Sequence, residues 1–185
     1  MKKIRLSQSL INYWERGDVQ GAINCYFHID KGTTRQMEEG RKYHEDIANS
    51  IDKTGKTPEY MAFNYDFKDS ETEKAITVPY NEICDVKGII DCLDGKNMFE
   101  WKTGVSGSAD WARTNQLPLY FMICDLAGIE VTSAYVVHYN QYTEKTDYTI
   151  VHNSEKLIEK GRNIVDSVCY EIWDYFNEQG LLGED

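Results

Sequence analysis

The sequence predicts an α/β domain built on a mixed central β-sheet flanked by helices. Three observations support this. Residues 83–102 carry a hairpin pattern: Ile83 to Leu93 is rich in β-branched residues, Asp94-Gly95 signals a tight turn, and Met98 to Lys102 forms a second short run. Two long apolar stripes at helical spacing, Thr34 to Ile51 and Ser154 to Asn177, stand on either side of it. The length of 185 residues suits one domain, 1–185, and is too short for two ordinary ones.

Taken in order, Arg5 to Arg16 reads as a short helix with Ser7 as N-cap. Leu10, Ile11 and Trp14 cluster at helical spacing before Gly17-Asp18 ends it. A second helix runs from Thr34 to about Ile51, with Thr33 and Gln36 at capping-box spacing. Met37, Gly40, His44, Ile47 and Ile51 share one face, and a lone histidine on such a stripe is ordinarily a satisfied core residue. Residues 52–75 read as an insertion with a short helix at Pro58 to Tyr65, its aromatics (Tyr60, Phe63, Tyr65, Phe67) packing it onto the domain. Ile76 to Tyr80 reads as an edge strand, because Pro79 removes a ladder donor.

After the hairpin, Thr103 to Ala109 reads as a Gly/Ser loop. A helix is expected over Ala109 to Ala127, with Gln116, Tyr120, Ile123 and Ala127 on one face. Pro118 conflicts with that helix, and either kinks it or marks a fresh start. Val131 to Tyr139 and Tyr148 to His152 read as strands across a polar loop. The last helix, from Ser154, carries an apolar stripe from Leu157 to Phe176 that suits packing on the sheet or on a neighbouring subunit.

Composition narrows the classes. Hydrophobic content of 41% with 12% aromatics suits a globular protein and argues against disorder. No apolar run approaches the ~20 residues of a membrane span. The basic N-terminus lacks the apolar stretch of a secretory signal, so a cytoplasmic protein is expected. Five cysteines (25, 84, 92, 124, 169) are scattered without a C-x-x-C pair, which speaks against a disulfide framework or a cysteine zinc site. Cys84, Cys92 and Cys124 suit buried small apolar positions.

The hairpin also carries the chemistry. Side chains alternate along a strand, so Glu100 and Lys102 point one way and Phe99 and Trp101 the other, with Asp91 near the end of the partner strand. A divalent metal held by the two carboxylates, with the lysine beside it, would give three charges on an apolar hairpin a purpose. Taken singly, Glu100 and Lys102 also suit a solvent-facing ion pair, and Gln116 with Tyr120 an ordinary helix surface.

Gly88-Ile-Ile-Asp91, eight intervening residues, then Glu100-Trp-Lys102 resembles the core motif of the PD-(D/E)XK nuclease superfamily. Gln116-Leu-Pro-Leu-Tyr120 is similar to the Q-x-x-x-Y motif of its RecB-type exonuclease branch. Gly40-Arg-Lys-Tyr-His44-Glu45 resembles that branch's G-x-x-x-H-E element, and the resemblance covers roughly residues 5–140. The resemblance implies a restriction-endonuclease-like core and a metal-dependent deoxyribonuclease. Its expected role is as an exonuclease in DNA recombination, repair or end processing, with DNA ends or single strands as partner.

The resemblance further implies one or two Mg²⁺ or Mn²⁺ ions held by His44, Asp91, Glu100 and the backbone carbonyl of Trp101. Lys102 would sit near the attacking water, and Gln116 and Tyr120 would contact the substrate phosphate or position the lysine. Arg113 is a candidate phosphate contact, and equally suits a solvated arginine. Some relatives hold an iron–sulfur cluster with one early and three late cysteines. Only Cys169 lies late here, so no cluster is expected. A net charge of −11 argues against tight non-specific duplex binding, unless positive charge gathers at one cleft or metal neutralises the carboxylates. A nuclease-like module that binds nucleic-acid ends or a protein partner without cutting stays open at this point, as does a homo-oligomeric regulatory protein with structural charges.

Overall fold

The computed structural model describes residues 2–29 and 34–182. Its elements are β1 (Ile4–Ser7), α1 (Gln8–Glu15), α2 (Val19–Tyr26), α3 (Arg35–Thr54), β2 (Ser70–Pro79), β3 (Cys84–Asp94), β4 (Asn97–Thr103), α4 (Ser108–Ala112), α5 (Gln116–Leu126), β5 (Ser133–Asn140), β6 (Lys145–His152) and α6 (Glu155–Glu178). The sheet is mixed, in the order β2–β3–β4–β5–β6 with β1 also on β3, and carries helices on both faces as the sequence predicts.

β3 is the organising strand. Along one edge it pairs antiparallel with β2 over nearly its whole length. Its other edge is shared. β1 pairs in parallel with Cys84 to Lys87, and β4 pairs antiparallel with Cys92 to Asp94. Between these two partners the stretch Gly88 to Asp91 has no ladder on that side. β4 then pairs in parallel with β5, and β5 antiparallel with β6.

Several boundaries differ from the sequence reading. Residues 4–7, expected to open a helix, form a strand. Ile4 and Leu6 are buried while Arg5 between them is exposed, and parallel pairing with β3 holds them extended. Ser7 still caps α1, accepting from the Leu10 N–H at 3.3 Å. Asp18, read as a stop, also starts α2 by accepting from the Gly21 N–H at 2.7 Å. α3 is capped by Thr34, accepting from Met37 N–H, and runs on to Thr54; the capping-box position Thr33 lies outside the described residues.

The expected helix at 58–65 is a single 3-10 turn, Glu59–Met61, and residues 70–75 belong to β2. The helix expected over 109–127 is two helices, because α5 begins afresh after Asn115. Pro118 then falls in the first turn, where N–H groups have no helical partner to lose. α6 follows its predicted span, capped by Ser154. Among the described residues no helix is long and apolar enough to cross a membrane.

Two apolar layers flank the sheet. One gathers α1, α2, α5 and α6 around Leu10, Phe121, Val165, Ile172 and Phe176, with Cys84 and Cys124 buried in it as expected. The other is ring-rich, with Phe67, Phe99 and Trp101 under Ile47 and Ile51 of α3, and it encloses Cys92. Tyr65 and Phe63 pack on Phe99 at 4.7 and 6.3 Å, so the aromatics of 60–67 serve packing. Gly161 lets α6 approach α5 closely: a Cβ there would meet the Pro118 carbonyl at 2.3 Å.

Candidate metal centre

The site lies where the edge of β3 changes partner. The β3–β4 ladder stops at Cys92 opposite Phe99, and the strands separate beyond it. Asp91 fills the fork: its Oδ2 accepts the Trp101 main-chain N–H at 2.8 Å, a donor the ladder leaves unused. Side-chain alternation slips at this point, since Ile90 and Leu93 both face the aliphatic layer while Cys92 faces the aromatic one. On β2, Glu73 lies opposite Asp91, between the pairs Thr72–Cys92 and Lys74–Ile90, with a left-handed φ of 49°.

α3 supplies His44, whose Nδ1 lies 3.4 Å from Asp91 Oδ1. One ligand atom each from His44, Glu73 and Asp91 lie within 4.8 Å of one another, a donor set able to hold a metal ion. Burial alone would keep the His44 imidazole neutral, but the hydrogen bond and charge of Asp91 outweigh it and raise its pKa. Burial, then the Asp91 charge, pushes Glu73 up as well.

Glu100 comes from the opposite side of β4, with its side chain fully buried. Its Oε2 accepts from Gln116 Nε2 at 2.7 Å and from Lys102 Nζ at 3.2 Å, while its Oε1 is buried with no hydrogen-bond partner among the described residues. Burial drives its pKa well above the usual carboxylate range, Asp91 adds to this, and Lys102 opposes it. For Lys102, burial disfavours the ammonium, but Glu100 and Asp91 outweigh it and hold the side chain charged. Its ammonium also lies 5.6 Å from the centre of the Trp111 ring.

α5 presents Gln116 and Tyr120 one turn apart, as the sequence spacing requires. Gln116 Nε2 is also 3.1 Å from the Tyr120 hydroxyl, and that hydroxyl donates to the Ile89 carbonyl at 2.7 Å. Tyr120 thus satisfies a backbone group in the unladdered stretch of β3. Gly88 makes this possible, because a Cβ there would crowd Ile123 and the Tyr120 ring at 3.0–3.1 Å.

The structure therefore brings together His44, Asp91, Glu100, Lys102, Gln116 and Tyr120. Arg113 is exposed at the C-terminal end of α4 and makes no hydrogen bond or ion pair with this group among the described residues. Sequence reasoning missed Glu73, which lies in the stretch read as an insertion; only the β2–β3 register reveals it. It also gave no role to His138. That buried residue clamps the loop after Lys102, with Nε2 at 2.9 Å from the Gly104 carbonyl and Nδ1 at 2.7 Å from Asp147 Oδ1.

An orphaned carboxylate oxygen beside a second carboxylate, a histidine and a charged lysine suits a hard divalent cation. Solved structures of exonucleases share the architecture. The chain is similar to an alkaline exonuclease from Laribacter hongkongensis, with a TM-score of 0.58 and 14% identity over 96% of this chain and 93% of that one. The same exonuclease in complex with dAMP gives a TM-score of 0.53 at 14% identity, over 95% and 93% of the two chains. A phage related exonuclease from Haemophilus somnus 129PT gives 0.52 at 12% identity, over 92% of each. No protein-family model and no curated protein matches the sequence. The likeness is one of fold: the restriction-endonuclease-like arrangement of a mixed sheet flanked by helices.

Proposed function

We propose that this chain, acting as one domain, is a metal-dependent nuclease that hydrolyses DNA phosphodiester bonds, working as an exonuclease in recombination, repair or end processing. The observation that carries it is the buried Glu100 Oε1, which has no hydrogen-bond partner among the described residues, next to Asp91 in the fork of the sheet. Buried acceptors ordinarily find donors, and a cation is the partner this site suits. Similarity in fold to exonucleases, one of them solved with dAMP, supports the substrate class.

In this reading Asp91, Glu100, His44 and the Trp101 carbonyl hold one or two Mg²⁺ or Mn²⁺ ions, with Glu73 as a further ligand within reach. Such an ion neutralises phosphate charge and acidifies water. Lys102, kept protonated between Glu100 and Asp91, orients the attacking water and offsets charge developing on the phosphate. Gln116 fixes the Glu100 carboxylate, so that one oxygen stays turned away from the lysine. Tyr120 holds the Ile89 carbonyl in the unladdered stretch of β3 beside the site. The cytoplasmic setting belongs to the same proposal.

The test uses end-labelled single- and double-stranded DNA with Mg²⁺, Mn²⁺ or EDTA, and the Lys102→Ala variant as control. Nucleotide release that needs metal and is lost in the variant is the expected result. Binding without cleavage under every condition would leave a non-cutting module instead.

A further inference from the structure

We propose that the bare face of the sheet beside the metal centre is a track for a single strand of nucleic acid, which holds phosphates several nucleotides away from the one being cut. The proposal deepens the nuclease reading and relies on it only for where the strand leads.

Helical cover on the α3 side is partial. The outward-facing positions of the β1–β3–β2 part of the sheet stay open: Arg5 on β1, Ile89 on β3, and Ala75 and Thr77 on β2 are exposed, while Lys87 and Ser7 are half-buried. The chain carries a net charge of −11, yet the β1–β3 part of this face gathers Lys3, Arg5 and Lys87 around one acid, Asp85, with Glu71 and Glu73 further off on β2. Lys3 pairs with Asp85 at 3.0 Å, whereas Arg5 and Lys87 have no ion-pair partner among the described residues. Uncompensated cations clustered on an otherwise acidic molecule are the electrostatic footprint of a polyanion.

The shape agrees with the charge. Two adjoining hollows, about 350 and about 260 Å³, form one trough with β1 and β3 as floor and the end of α2 as wall. They share Ser7, Cys25, His28 and Lys87. The second reaches Ile89 and Tyr120, the residues that frame the fork. Lys87 and Asp91 lie four residues apart on β3, about 13 Å at ~3.3 Å per residue, and the level of Arg5 is about 20 Å away. Those distances place the free cations beyond the cut phosphate, in line with it.

Ile89, 42% exposed between Lys87 and Asp91, offers an apolar surface to a sugar or an unpaired base. A duplex suits the face poorly, since its second strand would meet Glu71 and Glu73, exposed on β2.

The test separates binding from cutting. In EDTA, fluorescence anisotropy of a labelled oligo-dT is measured against salt for wild type, for Arg5→Ala/Lys87→Ala, and for Lys156→Ala/Lys160→Ala on α6, with thermal melting to show that each variant folds. The first double variant is expected to bind at least tenfold more weakly, with a salt slope smaller by about 1.4, roughly 0.7 per lost contact. The α6 variant is expected to bind as wild type. Equal losses in both variants, affinity unchanged by Arg5→Ala/Lys87→Ala, or tighter binding of poly-glutamate than of oligo-dT would each overturn the track. A wild-type protein that binds through this face but releases no nucleotide in Mg²⁺ or Mn²⁺ overturns the nuclease reading and leaves the track standing.

Discussion

The two faces of the sheet are covered by different means. Beneath α1, α5 and α6 the layer is largely aliphatic and continuous, with Ile172, Phe121 and Phe176 sealed from water. On the other face α3 and the segment around Tyr60 to Phe67 cover part of the sheet, the segment through ring contacts such as Tyr65 on Phe99 at 4.7 Å and Phe67 on Phe99 at 4.9 Å. The full layer can hold the fold; the partial one leaves the fork and the sheet face next to it within reach of solvent. The candidate site takes residues from both, Gln116 from the covered side and His44 from the partial side, so it sits on the seam.

The largest expected effect tests the seam. Lys102→Ala should lower metal-dependent cleavage about 10²–10⁴-fold, measured on labelled DNA at saturating Mn²⁺. Retention of wild-type rates would remove Lys102 from the chemistry. Next comes the contrast between the layers: Phe121→Ala should cost about 3–5 kcal/mol in urea unfolding. Tyr60→Ala, on a ring that stays 39% exposed, should cost about 1 kcal/mol. Comparable losses would mean that the two layers share the load.

A smaller effect comes from the metal. Mn²⁺ at about 100 times its dissociation constant should stabilise the protein by about 2.7 kcal/mol, read as a rise in Tm, and Asp91→Asn should abolish that rise. Smallest are the thiols. Burial pushes Cys84, Cys92 and Cys124 up to about 12 from an ordinary value of 9.0, in both layers alike. The folded state therefore retains protons that the unfolded chain gives up, and stability falls as pH rises from 9 towards 12. At pH 8 these three should resist a thiol reagent in native protein and react in urea; prompt reaction of Cys92 alone would show that the aromatic layer opens.

Much of the site was legible because its parts obey local periodicity. Period two on β4 separates Glu100 and Lys102 from Phe99 and Trp101, and a spacing of four on α5 aligns Gln116 with Tyr120. His44 could be placed on the inner face of α3 for the same reason. The failures share a cause too. Ile4 to Ser7 alternates over too few residues to outweigh the helical spacing that follows, and only pairing with β3 makes it a strand. Residues 70–75 are charged and polar, so no apolar pattern marks them as sheet, although β3 draws them into register.

By itself the chain's order of residues determined the hairpin, the sides on which its acids and lysine emerge, the cap at Ser7, and the long terminal helix, since each depends on neighbours within a turn or two. Tertiary structure alone decided that β3 changes partner at Gly88 to Asp91, that Glu73 comes to stand across from Asp91, and that Arg5 and Lys87 share an open face. Those outcomes rest on hydrogen bonds and register between separate segments, from 18 residues apart for Glu73 and Asp91 to 80 for Arg5 and Asp85. Such pairings form only when the whole sheet closes, and no local pattern of side chains encodes them.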